Sequence, residues 1–531
     1  MAPTEVLCLP PLSSFATILP KQSNHNCHGL MATPPPSTPP AWRWSLEHLS
    51  TELIALILEH LRDIDGEALA AARLLSKRFN AIAMPIKYEI LRLTERILDP
   101  RSIAFIPEGL EHIHAHTRHV IATSDLDPRQ TKELLDNIRR LSSVRWRYVQ
   151  RRFQSDDFWL PSDILNSQHT QAKKIKLYIE DMPLRDFNGY SQNPYTRAIP
   201  TNTLVSLKMG SPTPPLVDRL ESLKRLLLES PRLETFFYND RGQGTRFTFE
   251  GDERLPAFTD LTLRSYDWDH DAETVEKHWD FSQICHLKLI DVPLFPFLTS
   301  VPFAAFRRLQ TLQCQDYSAH LPDRRQDATQ GLYLLVRQAA AGSLASLNIT
   351  CHIPLFPVDA LLRHAPSLRT LRFRDHTGFG DEERRCPTLR AQDMAMLSRE
   401  LRHLGVLELD MDTACCDPSL FLRAVCGFPS LRVLTLHTQT VIRPLEQVIP
   451  GVDRDRDHAV TILMFLARGK QGVPWRSITI NVGGWRRVLV RRMGEAWREH
   501  NQNGVYAERC FVLEKGEDGQ LAMREELPVE I

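Results

Sequence analysis

The chain has 531 residues, and its 65 lysines and arginines balance 65 aspartates and glutamates to a formal net charge of zero. That length is several times the roughly 100–200 residues of an ordinary domain, so the chain holds either several domains or one long repeat array. Zero net charge excludes a whole-chain field that would draw it to nucleic acid or anionic lipid, so any charged recognition surface must be local. The ten cysteines form no C-x-x-C pair and no regular framework, which predicts reduced thiols in a cytoplasmic or nuclear protein. No apolar run reaches the roughly 18 residues of a membrane span. The first residues also lack the basic start of a signal peptide and the arginines of a transit peptide.

In chain order, residues 1–41 read as a disordered leader, because the Pro-rich stretch Met31 to Pro40 can neither form a helix nor bury much surface. Pattern starts at Trp42. Leu49, Leu53, Ile57 and Leu61 recur every four residues with Ile54 and Leu58 beside them, which predicts an amphipathic helix. Asp63, Asp65 and Gly66 break it, and the Ala- and Leu-rich stretch Glu67 to Ala83 predicts a second helix stopping before Pro85. Tyr88, Leu91 and Leu93 would extend a third element, and residues 94–116 read as a helical linker.

From about residue 117 a motif of the form apolar-x-x-apolar-x-apolar repeats down the chain. Nine clear copies start at Leu204, Leu233, Phe258, Ile284, Leu309, Leu344, Leu368, Leu404 and Leu431, with weaker ones at Thr117, Leu141, Ala172 and Trp475. Many copies follow one another at about 24–29 residues, the period of leucine-rich repeats, and longer gaps imply inserted loops. Helical stretches such as Val358 to His364 and Leu420 to Val425 lie between copies, and Pro231, Pro366 and Pro429 each stand just ahead of the next strand. A helix, a proline turn and a short strand make one solenoid unit, whose apolar side must be buried against its neighbours.

The segment 49–93 resembles the F-box, in wording closest to fungal members. Leu49-Ser50-Thr51-Glu52-Leu53 stands where the family writes Leu-Pro-x-Glu-Leu, Leu75 to Asn80 matches its Val-Ser/Cys-Lys-Arg-Phe stretch, and Pro85-x-x-Tyr88 its closing Pro-x-x-Tyr. Ser50 departs from the family's proline, and Gly66-Glu67 from its usual start to the second helix. The fold class implied is α/β: an all-α F-box over 42–93, then an irregular leucine-rich-repeat-like solenoid over 117–498 with short parallel strands alternating with helices, and a partly disordered extension over 499–531. The resemblance implies a non-catalytic substrate receptor of a Skp-cullin-F-box ubiquitin ligase. Its Skp-family adaptor would be bound by Leu49, Glu52, Leu53, Ile57, Leu58, Leu61, Leu75, Phe79, Pro85 and Tyr88. Two other readings stay open: a repeat scaffold whose degenerate box reaches no ligase, and an enzyme on this α/β fold, against which stands the absence of any nucleophile-base set, phosphate-binding glycine loop or HExxH.

His112, His114, His116 and His119 alternate as on one face of a strand, yet no cysteine joins them at ligand spacing, and neither a metal nor a cofactor is expected. Cys415-Cys416 falls in a loop, and the arginine pairs between Trp485 and Trp497 suit a solvated capping helix better than an RNA-binding face. In a solenoid the residue between the last two apolar positions of each strand points outward. Those positions include Arg145, Lys176, Lys208, Lys288 and Arg372 against a single acid, Glu408. This predicts a protein partner with an acidic or phosphorylated segment.

Overall fold

The computed structural model describes residues 46–99, 101, 107–149, 159–165, 174–184, 194–212, 220–242, 244–315, 324–375, 388–413, 415–439, 441, 453–482, 509–516 and 521–526. The Pro-rich leader and the Trp485 to Trp497 stretch lie outside them. Three helices come first: α1 (Thr51–Ile64), α2 (Gly66–Ala72) and α3 (Lys77–Glu89). Among the described residues sixteen strands follow: β1 (Ile90–Arg92), β2 (His119–Thr123), β3 (Ser143–Arg147), β4 (Lys176–Met182), β5 (Leu204–Met209), β6 (Thr235–Asn239), β7 (Asp260–Arg264), β8 (His286–Ile290), β9 (Thr311–Gln315), β10 (Ser346–Cys351), β11 (Thr370–Asp375), β12 (Val406–Met411), β13 (Val433–Thr438), β14 (Ser477–Val482), β15 (Arg509–Lys515) and β16 (Leu521–Glu526).

The strands form one sheet in chain order, parallel from β1 to β14 and antiparallel for the last two. Each strand therefore pairs with its sequence neighbours, and helices alternate with strands along most of the array, as in a solenoid. The repeated motif explains this. Its last two apolar residues face the helix layer, as Leu347 and Ile349 do beside Leu371 and Phe373, and its first plugs the approach to the strand, as Leu344 and Leu368 do. All six are fully buried. One continuous apolar core runs from Leu91 to Leu513, and a separate small core of Ile54, Leu58, Leu69, Ala72, Phe79, Ala83 and Ile86 closes the three helices on themselves.

Four expectations need correction. The stretch Glu67 to Ala83 is two helices, because the Ser76 hydroxyl accepts from the Phe79 amide at 3.3 Å and caps a new start. The second of these does not stop before Pro85: α3 runs through it to Glu89. Pro85 and Ala81, the residue one turn earlier whose carbonyl loses its donor, are both exposed, so water can satisfy that carbonyl. The sheet begins at β1, inside the segment 42–93 expected to be all helical, so α1 to α3 alone make up a helical hook, and the helices Glu95–Leu98 and Pro107–His116 of the expected linker belong to the first strand-to-strand crossover.

The weak copy placed at Ala172 is out of register by two residues. Leu177 and Ile179 pair with the buried Val144 and Trp146, which makes Tyr178, not Lys176, the neighbour of Arg145. The C-terminal extension contributes β15 and β16 to the sheet, with Phe511 and Leu513 buried and Arg524 paired to Glu514 and Glu526 on the last strands. Charges along a final strand also discourage edge-to-edge pairing with another chain.

Candidate functional site

The helical hook is built by its caps. Ser50 accepts from the Leu53 amide at 3.3 Å, so the residue standing in place of the family's proline starts α1 by capping it. Asp65 accepts from the amides of Glu67 and Ala68 and starts α2 in the same way. Arg78 donates to the Leu49 carbonyl at 2.7 Å, and Arg62 to Glu89 at 2.8 Å, tying both ends of α1 to α3.

Within α1 two apolar stripes run side by side. Ile54 and Leu58 point into the hook's core, with Leu61 half-buried beside them, whereas Leu53, Leu56 and Ile57 are exposed. Of the ten large apolar side chains exposed among the described residues, eight lie in the hook or at its junction with the sheet: Leu46, Leu53, Leu56, Ile57, Ile64, Leu74, Leu75 and Ile90. The other two, Leu355 and Leu420, sit in the array. Leu74 is 87% and Ile64 79% exposed, and nothing among the described residues packs over them.

This sorts the residues expected to bind an adaptor. Leu53, Ile57, Leu75 and Pro85 are on the surface with Glu52, and Leu49 and Leu61 are half-buried. Leu58 and Phe79 lie inside the hook, and Tyr88 packs on the array core, 5.5 Å from the His112 ring. Leu56, Ile64 and Leu74, also exposed, are not among the expected residues. Leu56 and Ile64 are off the four-residue stripe, and Leu74 was read as helix interior when it belongs to the turn before Ser76.

The second surface is the sheet face away from the helices. On β3 and β4 Arg145 stands beside Tyr178, but the β4–β5 ladder is bulged: Tyr178 pairs with Ser206, and Lys208 falls opposite Glu180 and Asp181. From Lys208 an unbroken central row runs through Phe237, Thr262, Lys288, Gln313, Asn348, Arg372, Glu408, Thr435 and Thr479. Arg145 lies 3.7 Å from Glu180 and Arg372 3.4 Å from Glu408, so both arginines have a carboxylate neighbour. Lys176, Lys208 and Lys288 make no ion pair among the described residues.

Toward β11–β14 this face carries a buried ionic network. Arg374 donates to Asp410 at 2.8 Å, the Asp375 amide donates to the other oxygen of Asp410 at 2.9 Å, and His437 Nε2 lies 2.9 Å from Glu408. Burial and the nearby Arg374 guanidinium push the His437 imidazole below its ordinary value. Its neutral form suits a proton on Nε2, facing Glu408, with Asn481 3.5 Å from Nδ1. Arg374 and Asp410 thus match each other, and Glu408 is held by His437 and Arg372, while the Asp375 carboxyl accepts only from the Ile353 amide and has no cation beside it among the described residues.

The remaining candidates are placed differently from expectation. His112, His114 and His116 are on the helix Pro107–His116, not on a strand, and only His119 begins β2. On a helix His112 and His116 are one turn apart, and their rings stack at 5.8 Å. Burial pushes the Cys416 thiol up to about 11, helped by Asp412, which leaves it a poor nucleophile at neutral pH. Among the described residues no helix is long and apolar enough to cross a membrane. No family model matches the chain, and neither does any curated protein.

Proposed function

We propose that the chain is the substrate-recognition subunit of a Skp-cullin-F-box ubiquitin ligase, acting in the cytoplasm or nucleus by holding a target protein near the transfer machinery. The observation that carries this reading is the hook's exposed apolar surface over a closed core. A unit that already buries Ile54, Leu58 and Phe79 internally still exposes Leu53, Leu56 and Ile57 on α1 and Leu74 and Leu75 in the turn after α2. A helix pair with that surplus suits docking in a partner's apolar groove.

On this reading Leu53 and Ile57 anchor the Skp-family adaptor, Leu75 adds contact area, and the leucine-rich-repeat-like array behind them selects the target. Ubiquitin transfer is the work of the associated conjugating enzyme, so the chain contributes no catalytic residue. The test is co-purification of the tagged chain with adaptor and cullin, beside the variant Leu53→Asp, Ile57→Asp. Retention by wild type and loss by a folded variant supports the ligase reading. Failure of wild type to retain either partner overturns it in favour of a repeat scaffold.

A further inference from the structure

The open sheet face over β4–β8 differs from the rest. Lys176, Lys208, Arg264 and Lys288 all point to it, and none has a carboxylate partner among the described residues. Acids are present nearby but engaged elsewhere: Glu180 lies beside Arg145, and Asp181 pairs with Arg147 at 2.8 Å. Asp260 sits at the far, N-terminal end of β7. Over β11–β14, by contrast, Arg372 and Arg374 are matched to Glu408 and Asp410. Two partly exposed aromatic side chains share this face: Phe237, beside Lys208 in the row that reaches Lys288, and Tyr178, two residues along β4 from Lys176.

We infer that this face binds an extended, doubly anionic peptide segment with an apolar residue between its two negative charges; the inference rests on the proposed role of the array as a target receptor. The argument is charge complementarity and spacing. Adjacent strands are about 4.8 Å apart, so Lys208 on β5 and Lys288 on β8 are separated by roughly 14 Å. An extended chain covers that span in about four residues, and its side chains at i, i+2 and i+4 share one side. Two acids at i and i+4 would therefore meet Lys208 and Lys288, and the residue at i+2 would lie over Phe237 and Thr262. Carboxylate and phosphate offer the same acceptor chemistry to an ammonium group. Nucleic acid fits less well, because an unbroken row of phosphates would also meet Asp181 and Asp260.

The experiment uses the full-length chain and a fluorescent peptide bearing Asp, Phe and Asp at alternate positions, with a second peptide carrying phosphoserine in place of each Asp. Binding of either peptide, weakened on the order of tenfold in Lys208→Glu, Lys288→Glu and unchanged in the control Arg399→Glu, carries the inference. The two peptides then tell carboxylate from phosphate. Absence of binding by both at low salt overturns it, as does binding indifferent to the lysine reversal, or equally tight binding of a single-stranded RNA. If the double variant melts early, the single variants Lys208→Gln and Lys288→Gln replace it, and loss of affinity with rising salt in wild type gives an independent reading. Adaptor co-purification is measured on the same preparations. Peptide binding lost with the adaptor retained by wild type overturns this inference alone, and the reverse overturns the ligase reading alone.

Discussion

Ile57 and Leu58 are consecutive in α1, about 100° apart around its axis, and that turn divides inside from outside: Leu58 is 1% exposed in the hook's core, and Ile57 is 47% exposed on its surface. Their substitutions should separate folding from docking. Leu58→Ala removes buried methyl groups and leaves a cavity among Phe79, Ala83 and Ile86, so the hook should lose about 2–5 kcal/mol. Ile57→Ala should stay within about 0.5 kcal/mol of wild type and weaken adaptor binding instead. Protease sensitivity of residues 46–89, followed against denaturant, reads the first effect. Equal destabilisation by both substitutions would contradict the assignment of the two stripes.

Much of the array was legible because its signal is local and repeated. The copy at Leu344 names Leu347 and Ile349, and the sheet buries both while Asn348 between them faces out. Period-two burial is dictated by the strand itself, so the register follows from the residues alone. The hook was harder to read, because Leu53, Ile54, Ile57 and Leu58 offer two overlapping stripes and only packing against α3 decides which is inside. The shifted copy at Ala172 failed for a related reason. Ile175, Leu177 and Ile179 are all buried, so two registers satisfy the same pattern, and pairing with β3 selects one. The aromatic segment between β6 and β7, where Phe247 packs between Tyr238 and Tyr266 without any intervening helix, left no periodic trace at all.

Lys224 anchors that segment. Its side chain is almost wholly buried, and its ammonium donates to the Thr248 carbonyl at 2.7 Å and to Glu253 at 2.7 Å, with Glu221 at 3.0 Å. Burial alone would pull its pKa down, and the hydrogen bonds to Glu253 and Glu221 outweigh this and raise it. Lys224→Met keeps the apolar stem but strands the Thr248 carbonyl and Glu253, so it should cost about 1–3 kcal/mol. Thermal unfolding should show the loss, and hydrogen exchange should rise first in residues 244–256. A variant as stable as wild type would mean that the segment is held by its aromatic packing alone.

The network on β11–β14 sets the pH dependence, and its members act in opposite directions. Burial alone would raise the Glu408 carboxyl, but the hydrogen bond with His437 and the guanidiniums of Arg374 and Arg372 outweigh it and hold the group well below its ordinary 4.5. That stability is present above pH 4.5 and is lost as the pH falls below it, because the unfolded chain takes up the proton first. His437, also lowered, adds to the loss below its ordinary 6.5. Asp375 does the reverse: burial, reinforced by Asp410, pushes its carboxyl up to about 7 despite the amide of Ile353, so its contribution is full below 3.8 and lost as the pH rises through 7. Asp375→Asn keeps an acceptor for the Ile353 amide at 2.8 Å and removes the buried charge, so at pH 8 it should stabilise the protein by on the order of 1 to 4 kcal/mol. Glu408→Gln should instead flatten the decline below pH 4.5. Urea unfolding from pH 3 to 8 on wild type and both variants measures this, and an Asp375→Asn chain less stable than wild type at pH 8 would show that Asp375 is ionised and satisfied in the folded protein.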